Sequence, residues 1–258
     1  MSSLKILTVL LTVVIFTKTN IFAESVWDNA SSLSESNNKN KNLSSNYKNR
    51  IGFFGYYLFG NDFSTGKVNQ IIDFFNNLLG FSPPIEHINN GQGLGGGIKV
   101  GIGQYIYLIG KGETIWKSEN FKLNYYGDGK VGVNCYLFGG GIRIETPPAE
   151  NDIALGIEGG FGYYSGEFYY DFNLGSYGRL SDKFKGSTPG FFFNASIDWY
   201  TTAKRDRGLS ALVGYRMAKI QDITNEEGED VYINYGMTKF DLDFSGFLYG
   251  INLFYYFE

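Results

Sequence analysis

The chain holds one cysteine, Cys135, and one histidine, His87, in 258 residues, with 5 prolines and 3 methionines. A single thiol excludes an intramolecular disulfide, so stability has to come from hydrogen bonding and packing. One histidine without a cysteine cluster leaves none of the usual zinc-ligand sets. After the N-terminus no segment supplies the roughly 20 continuous apolar residues of a membrane-crossing helix. Basic charge is also scarce. Lys and Arg number 22 against 26 Asp and Glu, and a nucleic-acid partner would need a basic face. Charged residues make up 19% of the chain, below the roughly 25% common in soluble domains.

Aromatic residues, at 18%, and 35 glycines are abundant instead, yet the mean hydropathy is only −0.17. Alternation gives that combination, because each outward apolar residue is diluted by an inward polar or small one. The C-terminal segment shows it most clearly. Phe247, Tyr249, Ile251, Leu253, Tyr255 and Phe257 share one face, opposite Gly246, Leu248, Gly250, Asn252, Phe254 and Tyr256. Strand side chains alternate between faces, so one face suits hydrocarbon and the other a crowded interior.

Residues 1–23 read as a secretory signal, with Lys5, an apolar run from Ile6 to Phe16, and Ala23 before the cut. Its removal takes away Lys5 and Lys18 and no acid. Residues 24–49, rich in Ser, Asn and Lys, cannot bury enough apolar surface to offset their ordering entropy. They are expected to form a disordered periplasmic linker before a single domain over 50–258.

Eight strands are expected in that domain: 50–60, within 94–109, 115–126, 130–144, 152–165, 189–201, 208–220 and 244–257. Gly110–Thr114 reads as the turn between the second and third, and Gly127-Asp-Gly129 as the next. Long connections at 61–93, 166–188 and 221–243 alternate with short ones at 110–114, 145–151 and 202–207. This is the asymmetry of a barrel with external loops and periplasmic turns.

The pattern is therefore that of an all-β, eight-stranded antiparallel transmembrane barrel. Lys67–Leu79 is the one helical segment, with Val68, Ile71, Ile72, Phe75, Leu78 and Leu79 as its apolar stripe in the first external loop. Glu158, Asp198 and Arg216, with Asn194 and Asn252, fall on non-lipid faces. They are expected to form a polar network in the lumen, Arg216 pairing with Glu158 or Asp198. Trp199, Tyr200, Tyr255 and Phe257, near strand ends, are expected in the aromatic girdle.

Other motifs lack context. Gly91-Gln-Gly-Leu-Gly-Gly96 precedes a strand where a dinucleotide fingerprint needs a helix. Gly60 to Lys67 is too long for a phosphate loop. Glu226, Glu227, Glu229 and Asp230 do not follow calcium-loop spacing. No metal or cofactor is implied. His87, near Ser82 and Glu86, is a candidate for lipid-trimming catalysis only if geometry assembles the three.

The segments 157–164 (Ile-Glu-Gly-Gly-Phe-Gly-Tyr-Tyr), 213–217 (Val-Gly-Tyr-Arg-Met) and 243–257 resemble the small outer-membrane β-barrels of the opacity-type and outer-membrane-protein-A/W-like superfamily. The resemblance covers about residues 50–258. It implies a Gram-negative outer-membrane location, membrane lipids as surroundings, and a C-terminal strand read by the barrel-assembly machinery. A monomeric, non-enzymatic surface protein is the leading expectation, with long loops meeting an extracellular ligand or supporting the envelope. The alternative is gated binding or passage of a small apolar molecule, favoured by Phe192, Leu212, Leu248 and Phe254 on inward faces. A lipid-processing enzyme is the third.

Overall fold

The computed structural model describes residues 50–63, 65–80, 83–123, 127–149, 151–233 and 238–257. The expected signal segment and linker lie outside these residues. Eight long strands form the ring: β1 Ile51–Asp62, β2 Asn90–Gly103, β3 Ile106–Leu123, β4 Gly127–Glu145, β5 Ile153–Asn173, β6 Arg179–Tyr200, β7 Arg207–Met217 and β8 Gly246–Phe257. Each pairs antiparallel with its sequence neighbours, and β1 closes the ring on β8 from Ile51↔Phe257 to Asn61↔Leu248. Closure leaves no strand edge within the bilayer, which the lack of water there requires.

Outward side chains of the ring are apolar over a limited stretch of each strand. On β5 and β6 it runs from Ile153 and Trp199 up to Tyr163 and Pro189, about the 9–11 residues a tilted strand needs to cross. Its upper limit is a row in direct register, Thr114↔Tyr136↔Ser165↔Ser187. Above that row polarity inverts. Outward positions become Glu167, Lys183 and Lys185, while Phe168, Phe172 and Phe184 point inward and are buried. Strands β3–β6 therefore continue past the bilayer as a four-stranded wall.

Three expected boundaries move. Gly110–Thr114 is not a turn but the middle of β3, and the real connection is Gln104-Tyr105, with Tyr105 at φ 64. Residues 166–188 are not a long loop. Most belong to β5 and β6, joined by a short 3-10 turn over Gly175–Tyr177. Residues 127–129, expected as a turn, open β4. The short turns before β5 and before β7 each use a left-handed residue, Asp152 (φ 59) and Arg205 (φ 54), and these two pair at 2.8 Å.

The helix, α1, spans Gly66–Leu79 and stops at Gly80, which is left-handed (φ 60) and donates its N–H to the Asn76 carbonyl. Val68, Ile72 and Phe75 are buried. Ile71 packs partly against the same core, whereas Leu78 is 63% exposed and Leu79 37%. The polar face is used as well. Asn76 accepts from the Ile85 N–H at 2.8 Å and donates to its carbonyl at 3.1 Å, and Asn69 accepts from Ile88 N–H at 2.9 Å. These bonds tie the returning segment 85–88 to the helix. With short pairings in residues 219–243, α1 closes a cap. Its apolar core joins Phe63, Phe75, Ile88, Phe240 and Phe244 to the inner face of the wall.

Candidate functional site

The lumen holds the chain's densest chemistry, and strand parity places it there. On β3, inward positions 111 and 113 bring Lys111 and Glu113. On β4, 143 and 145 bring Arg143 and Glu145. On β6 and β7, Asp198, Asn194 and Arg216 point the same way. All are buried, as are Lys99 and Glu158.

The groups stack in three levels. Nearest the end with the short turns, Arg143 donates from Nε to Glu145 (2.6 Å) and from Nη2 to Ser196 (2.8 Å), and also pairs with Asp198. Tyr200 and Tyr256 donate to the remaining acceptor sites of Glu145 at 3.2 and 3.1 Å. Lys99 lies 3.7 Å from Glu145, facing the rings of Phe54, Phe254 and Tyr256 at 5.0–5.6 Å. In the middle, Glu158 receives Lys111 at 3.3 Å, Asn194 at 2.5 Å and the far side of Arg143 at 3.5 Å. Lys111 sits 3.6 Å from the Phe192 ring centre. At the upper level Arg216 donates to Glu113 (2.6 Å), Asn61 (2.9 Å) and the Phe244 carbonyl (3.1 Å). Tyr56 donates to the other Glu113 oxygen at 2.7 Å.

Four cations thus meet four carboxylates, each within reach of an opposite charge. Buried charge on this scale is tolerable only when paired and hydrogen-bonded. Asn252 bonds Ser210 at 3.3 Å, on the β7–β8 side. The arrangement shares each of these carboxylates with a cation. It is a filled interior, capped by apolar side chains above and aromatic rings below.

Two expectations change here. Arg216 pairs with Glu113, not with Glu158 or Asp198, which Arg143 and Lys111 serve instead. Lys111 and Glu113 were missed because both fell in the supposed Gly110–Thr114 turn, while Lys99 and Arg143 lie in expected strands next to runs of glycine that hide the alternation. Tyr200 does not join the girdle. It is 7% exposed and points inward to Glu145, while Trp199, Tyr255 and Phe257 face outward.

His87 lies on the solvent surface with Nε2 2.8 Å from Asp73. Glu86 is exposed, and Ser82 lies outside the described residues. Asn225 caps the acidic turn, accepting from the N–H groups of Glu227 (3.1 Å) and Glu229 (2.8 Å). Among the described residues no group of three or more His, Cys, Asp or Glu is placed to hold a metal.

Outside the bilayer, Asp171 receives both Arg179 nitrogens (2.6 and 2.5 Å), and these hydrogen bonds hold its carboxyl below the usual carboxylate range. Glu167 likewise raises the Lys183 ammonium through a 2.6 Å contact.

No family model and no curated protein matches the chain. Among solved structures it is similar to Ail, the attachment invasion locus protein of Yersinia pestis, crystallised with the heparin analogue sucrose octasulfate. Identity is 10% over 81% of this chain and 99% of that one, with a TM-score of 0.46. It is similar to Neisserial surface protein A (9% identity, 80% and 97% covered, TM-score 0.45). A third similarity is to the outer membrane protein OprG from Pseudomonas aeruginosa (14% identity, 82% and 97% covered, TM-score 0.43).

Proposed function

We propose that the chain is a non-enzymatic surface protein of a Gram-negative outer membrane, exported by its N-terminal segment and inserted by the barrel-assembly machinery. The barrel is the anchor, and the cap and wall are the working parts. One observation carries this reading. The lumen inside the lipid-facing band is filled by paired charges, and about eight strands leave room for little beyond side chains. Phe192, Leu248 and Phe254, which could have lined an apolar passage, are themselves buried in that filling.

The test is reconstitution in bilayers. Folded protein is expected to show a gel mobility shift on boiling and to produce no conductance steps. Steady single-channel conductance from the folded form would overturn the anchor and restore passage as the main role. Absence of the shift from a membrane-extracted sample would overturn the barrel's insertion.

A further inference from the structure

The outward face of the wall above the lipid band is polar and grooved, and nothing in the anchor role uses it. Two grooves lie along it, about 780 Å³ around Lys122, Lys130, Asn173 and Arg179, and about 360 Å³ around Asn134, Glu167, Ser181 and Lys183. Asp171 belongs to both. Both are shallow and open to solvent, as suits a ligand that lies along a surface. Glu226, from the last loop, and Asp182 line the lower groove as well, so the surface is mixed in charge rather than basic.

Three features define what would fit. First, Tyr169 lies directly opposite Gly132 in register. A Cβ at Gly132 would meet the Tyr169 hydroxyl at 2.5 Å, so the missing side chain is what lets this ring lie flat on the sheet. Lys130 stands 5.4 Å from its centre. Second, hydrogen-bonding groups of both senses sit in adjacent rows, Asn134↔Glu167↔Lys185 and Lys130↔Asp171↔Ser181. Third, the lower groove begins just above the Tyr136↔Ser165↔Ser187 row that ends the lipid band. A flat ring amid alternating donors and acceptors suits a sugar, whose C–H face packs on the ring while its hydroxyls both give and accept hydrogen bonds. Pure anion binding would call for an excess of cations, which Glu167, Asp171, Asp182 and Glu226 remove.

We infer that this face docks the sugar chain of a glycolipid standing beside the barrel in the outer leaflet. The inference rests on the membrane reading above. Lipid anchoring holds the sugar at high effective concentration, so weak individual contacts suffice.

The experiment uses the full mature protein labelled with 3-fluorotyrosine, the Tyr169 resonance being identified by its loss in Tyr169→Phe. The protein is folded into bilayers of neutral phospholipid, of anionic phospholipid, of outer-leaflet glycolipid, and of that glycolipid stripped of its sugars. The expected result is a shifted Tyr169 signal and about tenfold weaker broadening by a soluble gadolinium chelate, only where sugars are present. Gly132→Val, which lifts the ring, is expected to abolish the difference while the boiling-dependent gel shift persists. Equal behaviour with and without sugars, or the same protection in anionic phospholipid, would overturn the inference and leave the anchor standing. Failure to insert in every bilayer would overturn both.

Discussion

Arg143→Met removes the one group that touches three lumen carboxylates, Glu145, Glu158 and Asp198. Unit charges about 4 Å apart interact with roughly 4 kcal/mol at an effective dielectric near 20. The variant forfeits more than one such attraction, and part is offset because the guanidinium no longer has to be desolvated. Lys99 and Lys111 remain, 3.7 Å from Glu145 and 3.3 Å from Glu158, while Asp198 keeps the Ser196 hydroxyl at 3.0 Å. The expected loss is therefore about 3–5 kcal/mol, as when a buried pair loses one partner. Urea unfolding of vesicle-folded protein, followed by tryptophan fluorescence, reads it. Adding Asp198→Asn to the same chain neutralises the stranded charge and is expected to recover roughly 1–3 kcal/mol. A loss under about 1 kcal/mol, or strict additivity of the two substitutions, would refute the claim that pairing makes this lumen stable.

Three further outcomes follow from particular positions. Gly112→Ala places a methyl on the lipid face with no atom nearer than 3.9 Å and is expected to fold normally, whereas Gly214→Ala meets the Asn194 side chain at 1.9 Å and is expected to fail the gel-shift assay. Phe75→Ala in α1 is expected to cost about 3–5 kcal/mol and loosen the cap, while Leu78→Ala, at an exposed site, is expected to stay within about 0.5 kcal/mol. Limited proteolysis of the cap separates them. For Asp171 the folded pKa lies below its unfolded value, so the contribution from Arg179 is present at neutral pH and fades as pH falls through that depressed value. Carboxyl NMR titration should show the Asp171 midpoint rising in Arg179→Gln, and an unmoved midpoint would mean the hydrogen bonds contribute nothing.

Much of the ring was readable because β5, β7 and β8 alternate over the bilayer with large apolar residues on one face and glycine, serine or asparagine on the other. The upper halves of β5 and β6 were not. Past Ser165 and Ser187 the environment outside the sheet changes from lipid to water, and the phase of the pattern reverses with it. Phe168 and Phe184 point inward while Glu167 and Lys183 point outward, so a search for outward apolar residues loses the strand. The lumen network was half legible for a related reason. Glu158, Asp198 and Arg216 stood out as charges on inward faces. Their partners Lys111 and Glu113 on β3 sit in Gly110–Thr114, which reads as a turn rather than strand, and Lys99 and Arg143 lie in expected strands interrupted by Gly95–Gly97 and Gly139–Gly141, where the alternation of large and small residues is lost. Parity alone could have found Tyr200, since it neighbours outward Trp199.

The reversal of phase along the wall gives one molecule two kinds of stability. Below the Tyr136–Ser165–Ser187 row the sheet is oily outside and ionic within, and its shape is enforced by the bilayer. Above it, the aromatic interior of Phe75, Phe168, Phe172, Phe184 and Phe240 is held together by water's exclusion, as in any soluble protein. Urea acts on the second force directly and reaches the first only through a membrane. The cap should therefore melt at a denaturant concentration that leaves the staves below intact, and a protease added from outside would trim the molecule to its anchor.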